Sequence, residues 1–334
     1  MTMKKNKSIN STIIACTTLL LTLVFGGCNK DNSDVLPTIS QTVVGLEDLS
    51  QLEFAAVKGD LVVALSNKNK TTGADGNFTI FAPTNQAFAK IGLVNPRDFN
   101  ALQTPFLLNV LKYHVSNGNA KDDLLIGGFK VPSLLGPTVN KRIIIRGTDK
   151  YVNGSKIIVT NTQADNGIVH VINRVLLASG TDIANTALFF AQGKGFVQPE
   201  LSFLAEALVY CDLFAALADA NANYTVFAPT DQAFKDLGKT LGIEVNQPSD
   251  VRKIDYTTLK QILLNHVVSV GLFTSELHAG NLLGLSGKNI TLGEYNDGLL
   301  TVKGNGNSVV ANMVISDIQT TNGVVHVIDR VLLP

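Results

Sequence analysis

The sequence predicts an α+β protein made of two tandem copies of one domain, each with helices in its first half and strands in its second around a compact β core. Three observations carry this. Phe81-Ala-Pro-Thr-Asn-Gln-Ala-Phe88 returns as Phe227-Ala-Pro-Thr-Asp-Gln-Ala-Phe234, and Asn166-Gly-Ile-Val-His-Val-Ile-Asn-Arg-Val-Leu-Leu177 returns as Asn322-Gly-Val-Val-His-Val-Ile-Asp-Arg-Val-Leu-Leu333. The copies are offset by 146 residues at the first phrase and 156 at the second, enough chain for each to bury its own core. Helical spacing of apolar residues precedes each first phrase, whereas Gly, Asn and alternating apolar residues lead up to each second phrase.

Lys4, Lys5 and Lys7 precede an apolar run over residues 13–25, too short for a bilayer that needs about 20 residues, so residues 1–27 read as a signal peptide. The run ends in Val24-Phe-Gly-Gly-Cys28, which resembles the lipobox of bacterial lipoproteins, although Phe25 stands where Leu is usual. That resemblance implies cleavage before Cys28 and acylation, palmitate included, of its thiol. Several acyl chains at about 0.8 kcal/mol per buried methylene hold a protein firmly on a membrane. A polar, acidic stretch follows, read as a flexible tether over residues 28–42. The expected location is the cell envelope, on the outer membrane, facing either the surface or the periplasm. Cys16 leaves with the signal, and the remaining Cys211 falls on the apolar face of a helical series with Leu201, Leu204 and Leu208, as a small core residue rather than a nucleophile.

Charge points away from nucleic acid: 27 basic and 27 acidic residues leave no basic stripe. Walker and GxGxxG loops are absent from the sequence, as are G-x-S-x-G and H-E-x-x-H. No enzyme, cofactor or metal site is expected. An uncharacterised hydrolase is the remote alternative.

Within each copy, residues 46–56 and 201–215 have helical periodicity, and residues 78–81 and 224–227 form short strands that Pro83 and Pro229 end. Thr84 and Thr230 cap the helices that follow, and Asp231 adds a carboxylate to the first turn in copy two. Thr104-Pro105 opens a helix with Thr as its cap, running to Tyr113-His114; its counterpart runs from Thr258 to His266. Asn153-Gly154 reads as a type I′ hairpin turn. His170 and His326 lie in alternating strands facing a core contact, and His114 and His266 close helices, where imidazole bonds terminal carbonyls.

The first phrase, the Tyr113-His114 pair and the Asn166-Gly-Ile-Val-His-Val-Ile172 run resemble, in order, three motifs of the fasciclin (FAS1) family. The second copy matches at both phrases but has Asn265-His266 at the middle motif. The resemblance places one domain at residues 43–178 and another at 198–334, with a linker over 179–197. It implies a β-sandwich or wedge-like β core flanked by helices and an extracellular role in adhesion or surface contact. Asp317-Ile318 resembles the Asp-Ile pair that adhesive animal members use for integrin contact; copy one has Asn161-Thr162 instead. Asp317, Ile318, Tyr113 and His114 are therefore the candidate partner-binding residues, while a solvated loop Asp beside a core Ile explains the same letters. The expected function is a membrane-anchored adhesion or interaction protein with a protein or glycan partner. The alternative is a glycan-capturing accessory of an outer-membrane uptake system.

Overall fold

The computed structural model describes residues 35–68, 76–198 and 200–334. Copy one supplies β1 (Phe78–Pro83), β2 (Val115–Asn117), β3 (Lys130–Ser133), β4 (Gly136–Arg146), β5 (Asp149–Val152), β6 (Ser155–Ala164) and β7 (Gly167–Ile172), in the sheet order β2-β1-β7-β6-β5-β4-β3. After β8 (Leu177–Ala178), copy two repeats that order with β9 (Tyr224–Pro229), β10 (Val267–Val268), β11 (Gly280–Leu283), β12 (Asn289–Leu292), β13 (Thr301–Gly304), β14 (Ala311–Thr320) and β15 (Gly323–Ile328).

The doubled phrases turn out to be partners. β1 runs parallel to β7 from Phe78↔Gly167 to Pro83↔Ile172, and β9 runs parallel to β15 from Tyr224↔Gly323 to Pro229↔Ile328. A parallel pair buried on both faces leaves little freedom to either strand. Gly167 (φ +150°) and Gly323 (φ +153°) are required there, since a Cβ at either would overlap the backbone of Phe78 or Tyr224.

Alternation along the central strand divides the core. Ile80 and Ala82 face the helices, whereas Phe81 faces the other side, where β3–β6 curl over it with Ile143, Val152 and Ile157. Register shifts at Ile157/Val159 and Val159/Thr162 let the long strand β6 bend between β7 and β5. Copy two repeats this with Val226 and Ala228 against Phe227. Each domain is therefore a curled, wedge-like sheet flanked by helices.

Several boundaries differ from the sequence reading. The helix Ile39–Val44 begins inside the stretch read as tether and runs into the first domain, and the stretch read as linker contains the helix Ile183–Ala191. These are equivalent first helices, each tied to its domain by the Asn of the second phrase. Asn166 Oδ1 accepts from Ile39 N–H (2.8 Å) while its Nδ2 donates to the carbonyls of Leu65 and Asn67. Asn322 repeats the clamp on Ile183 N–H (2.9 Å) and the carbonyls of Leu217 and Asp219. Neither helix shows its place locally, because the anchor of each lies more than 100 residues away. Nor are the cores self-sufficient: residues 36–334 form one compact unit, with Phe106 of copy one packed among Phe189, Phe190 and Phe196.

Smaller differences have local causes. Thr104 is the first residue of the helix Thr104–His114, and Gln103 occupies the cap position without a side-chain bond. The series over 201–215 breaks into Ser202–Tyr210 and Phe214–Ala218, with Cys211 buried at the break and its thiol pushed up to about 11 by burial. In the 153–154 turn only Asn153 has positive φ (52°), so it is not type I′. Thr84 and Thr230 do cap their helices, accepting from Ala87 and Ala233 N–H, each at 3.1 Å. Asp231 stands in the first turn of its helix as expected, and its carboxylate also serves the start of the helix Ser202–Tyr210, accepting from Phe203 N–H (3.1 Å) and Ser202 Oγ (2.6 Å).

Candidate functional site

The four motif histidines each make two hydrogen bonds and all are buried. Leu176 N–H donates to His114 Nε2 (2.9 Å), which leaves the ring proton on Nδ1, 2.7 Å from the Val110 carbonyl. His266 repeats this with Leu332 N–H (2.7 Å) and the Ile262 carbonyl (2.7 Å). Each ring joins the helix end to the last residues of the second phrase, and accepting an N–H requires it to be neutral. Burial correspondingly lowers both pKa values to about 4. His170 Nδ1 accepts from Asn161 N–H (3.3 Å) and His326 Nδ1 from Asp317 N–H (3.1 Å), with the Nε2 atoms on the carbonyls of Ala120 and Leu272. Burial lowers the pKa of both. Among the described residues no group of His, Cys, Asp and Glu is arranged to hold a metal.

The residues read as partner-binding lie inside the protein. Asp317 is 8% exposed and Ile318 1%, and both belong to β14 rather than to a loop. The Asp317 carboxylate accepts from Thr274 N–H (2.7 Å) and Thr274 Oγ (2.6 Å), and its backbone is left-handed at φ 64°. Asn161 has the same role in copy one, with φ 59° and its Oδ1 accepting from Asp122 N–H (2.9 Å). The Asp-Ile resemblance thus falls on a β-bulge whose side chain fastens a neighbouring loop. Tyr113 is also enclosed: its hydroxyl accepts from Asn153 Nδ2 (2.7 Å), and burial raises its pKa. Cys28 lies outside the described residues.

Lys141, absent from the sequence reading, is fully buried beneath Tyr113. Its Nζ donates to the Tyr113 carbonyl (2.9 Å) and lies 5.7 Å from the Phe81 ring centroid. Burial pushes its pKa well below the ordinary lysine value. Matching register against Val131 and Leu282 places Ile290 at this position in copy two. Lys141→Ile is therefore expected to stabilise the protein by about 1–2 kcal/mol at pH 7 in urea unfolding. The gain shrinks toward pH 10, where the unfolded chain no longer holds the lysine proton so firmly.

The two domains meet over polar contacts. Arg142 Nη2 donates to Glu276 (2.5 Å) and the Gly271 carbonyl (3.0 Å), and Arg146 Nη1 donates to the carbonyls of Ser275 (3.0 Å) and Leu277 (2.7 Å). Ser275 Oγ donates to the Asn153 carbonyl (2.6 Å), and Gly154 lies so close to Asp317 that a Cβ would overlap its carboxylate. Arg174 Nη1 donates to the Asp297 carbonyl (2.7 Å) and β8 adds to β14, pairing Leu177 with Ile318. Beside this seam a groove of about 270 Å³ opens between the domains. Lys130, Asn140 and Arg142 line it from copy one and Asn223, Gln319 and Thr321 from copy two. Its signal in sequence is weak, because these residues come from four separated segments.

The fasciclin domain profile matches residues 47–178 and 199–334. The chain is 30% identical to human periostin over 267 residues, covering 78% of this chain and 28% of periostin. It is 28% identical to pig transforming growth factor-beta-induced protein ig-h3 over 265 residues, covering 78% of this chain and 35% of that protein. The chain thus spans about a third of the length of these two relatives. Among solved structures, a fasciclin domain pair from the insect cell adhesion molecule Fasciclin I aligns over 86% of this chain and 98% of that one, at 19% identity and a TM-score of 0.38. With both copies matched across nearly all of the described residues, the chain belongs to the fasciclin family and carries two fasciclin domains in tandem.

Proposed function

We propose that this is a bacterial lipoprotein, held to the outer membrane by acyl chains on Cys28, whose paired fasciclin domains bind a protein or glycan outside the cytoplasm. The carrying observation is the order of parts: an apolar run ending in Gly26-Gly27-Cys28, then two fasciclin domains at residues 47–178 and 199–334. No helix among the described residues is long and apolar enough to cross a membrane. A lipid on Cys28 accounts for attachment without one. The reactive side chains of the motifs are sealed in the core, which favours contact over catalysis as the role.

Labelling with a clickable fatty-acid analogue tests the anchor. Incorporation is expected in the wild type and lost in Cys28→Ala, with the variant released from membranes; an unlabelled wild type in the soluble fraction overturns the proposal. Deleting the protein is expected to reduce attachment of the cells to matrix or to other cells. Unchanged attachment removes the adhesive reading. The polar groove favours the second reading, a glycan-capturing accessory of an uptake system, for which genes for a transporter and glycosidases beside this one are expected.

A further inference from the structure

We propose that the interdomain groove binds a carboxylate-bearing saccharide, a short run of hexuronate units. Among the described residues its cationic lining residues are Lys130 and Arg142, and no carboxylate lines it. Glu276 pairs with Arg142 from outside that lining, so Arg142 is partly neutralised while Lys130 is exposed. Arg142 also keeps a buried Nε–H with no acceptor among the described residues. The other polar side chains of the lining are amides and hydroxyls, Asn140, Asn223, Gln319 and Thr321 among them, beside the apolar Ala222, Phe273 and Val324. A side-chain amide presents a donor and an acceptor in one plane, the pattern that vicinal sugar hydroxyls complement. Lys130 supplies the charge-assisted bond to the uronate carboxylate.

Size agrees with this ligand. At about 270 Å³ the groove lies just under the usual range for small-molecule sites, room for one or two sugar rings with the remainder of a chain passing out of its open side. The site is also preorganised. Arg142 and Arg146 grip residues 271–277, and the Phe106 cluster joins the copies on the helix side, so the two walls are held at a fixed separation. Since each domain provides one wall, a single domain presents half a site.

The inference deepens the proposed function by naming the partner class, and it rests on the contact role proposed above. The test is calorimetric titration of the full chain in detergent with tri-galacturonate, beside the neutral galactotriose and a triglutamate peptide. Tri-galacturonate is expected to bind in the micromolar to millimolar range, at least tenfold tighter than either control, and to weaken as salt rises. Lys130→Glu is expected to weaken it about tenfold or more, and Thr321→Trp, which fills the groove from an exposed position, to abolish it. Both variants should keep the wild-type thermal midpoint, since both side chains are exposed. Equal binding of triglutamate, unaltered binding in both variants, or no binding of tri-galacturonate overturns the proposal. Saccharide binding with unchanged cell attachment retains the groove and removes only the adhesive reading.

Discussion

Asp317→Ala is expected to destabilise the protein by about 3 kcal/mol, and Asp317→Asn by about 1 kcal/mol. The carboxylate is buried and takes two short bonds from Thr274, one from its backbone N–H and one from its hydroxyl. Alanine leaves both donors unanswered beside Gly154, where the close approach leaves no space for a bulkier replacement partner. A second cost comes from the backbone. At φ 64° the residue is left-handed, a region that Asp and Asn tolerate and alanine does not, at about 1 kcal/mol. Asparagine keeps the conformation and one acceptor, which is what Asn161 already does for Asp122 N–H at the equivalent bulge. Urea unfolding of the three proteins measures the order. A variant as stable as wild type that has lost a partner would return Asp317 to the surface and restore its reading as a recognition residue.

Asp317 also illustrates which information is legible in the sequence. Elements whose causes are local or doubled were readable: Thr84 and Thr230 cap helices because the cap and the capped N–H are three residues apart, and the paired phrases stood out because they form the central parallel strands. His170, His266 and His326 are readable as structural because alternation and helix position place them inward, whereas His114, also a candidate for partner contact, proves buried in the same way. What the sequence does not display is the partner across the fold. Asn166 binds Ile39 N–H from 127 residues away, so the first helix looked like tether; Thr274 meets Asp317 43 residues on, so a buried bulge looked like a contact loop. Lys141 gives no local signal, because a charged residue in a strand reads as solvent-facing, and only its equivalence to Ile290 in strand register shows that it fills an apolar position. The groove is the extreme case, since its walls belong to different copies and exist only once the seam has formed.

Acid is expected to unfold the protein well before its carboxylates are all protonated. His114 and His266 have pKa values near 4 in the fold, against about 6.5 in an unfolded chain. Between those values the unfolded state binds a proton that the folded state refuses, so stability is complete above about pH 6.5 and falls as pH drops toward 4. The full difference is about 3 kcal/mol for each of the two residues, at 1.36 kcal/mol per pKa unit. Both rings are fully enclosed, so solvent screening does not reduce it appreciably. His170 and His326 act in the same direction, because burial lowers their pKa values too. The cause is geometric as well as dielectric: protonating Nε2 of His114 or His266 sets an N–H against the N–H of Leu176 or Leu332 and detaches the segment after β7 or β15 from its helix. Because one apolar core joins the copies, failure at either ring is expected to lower the midpoint of the whole unit. Urea midpoints at pH 7.5, 6, 5 and 4.5 read the slope, and His266→Gln is expected to start lower at pH 7.5 but lose less on acidification. A wild-type midpoint that stays flat from pH 7.5 to 4.5 would show that these imidazoles are free to charge without breaking their bonds, and would remove them as the acid-sensitive fastening of the fasciclin fold in this chain.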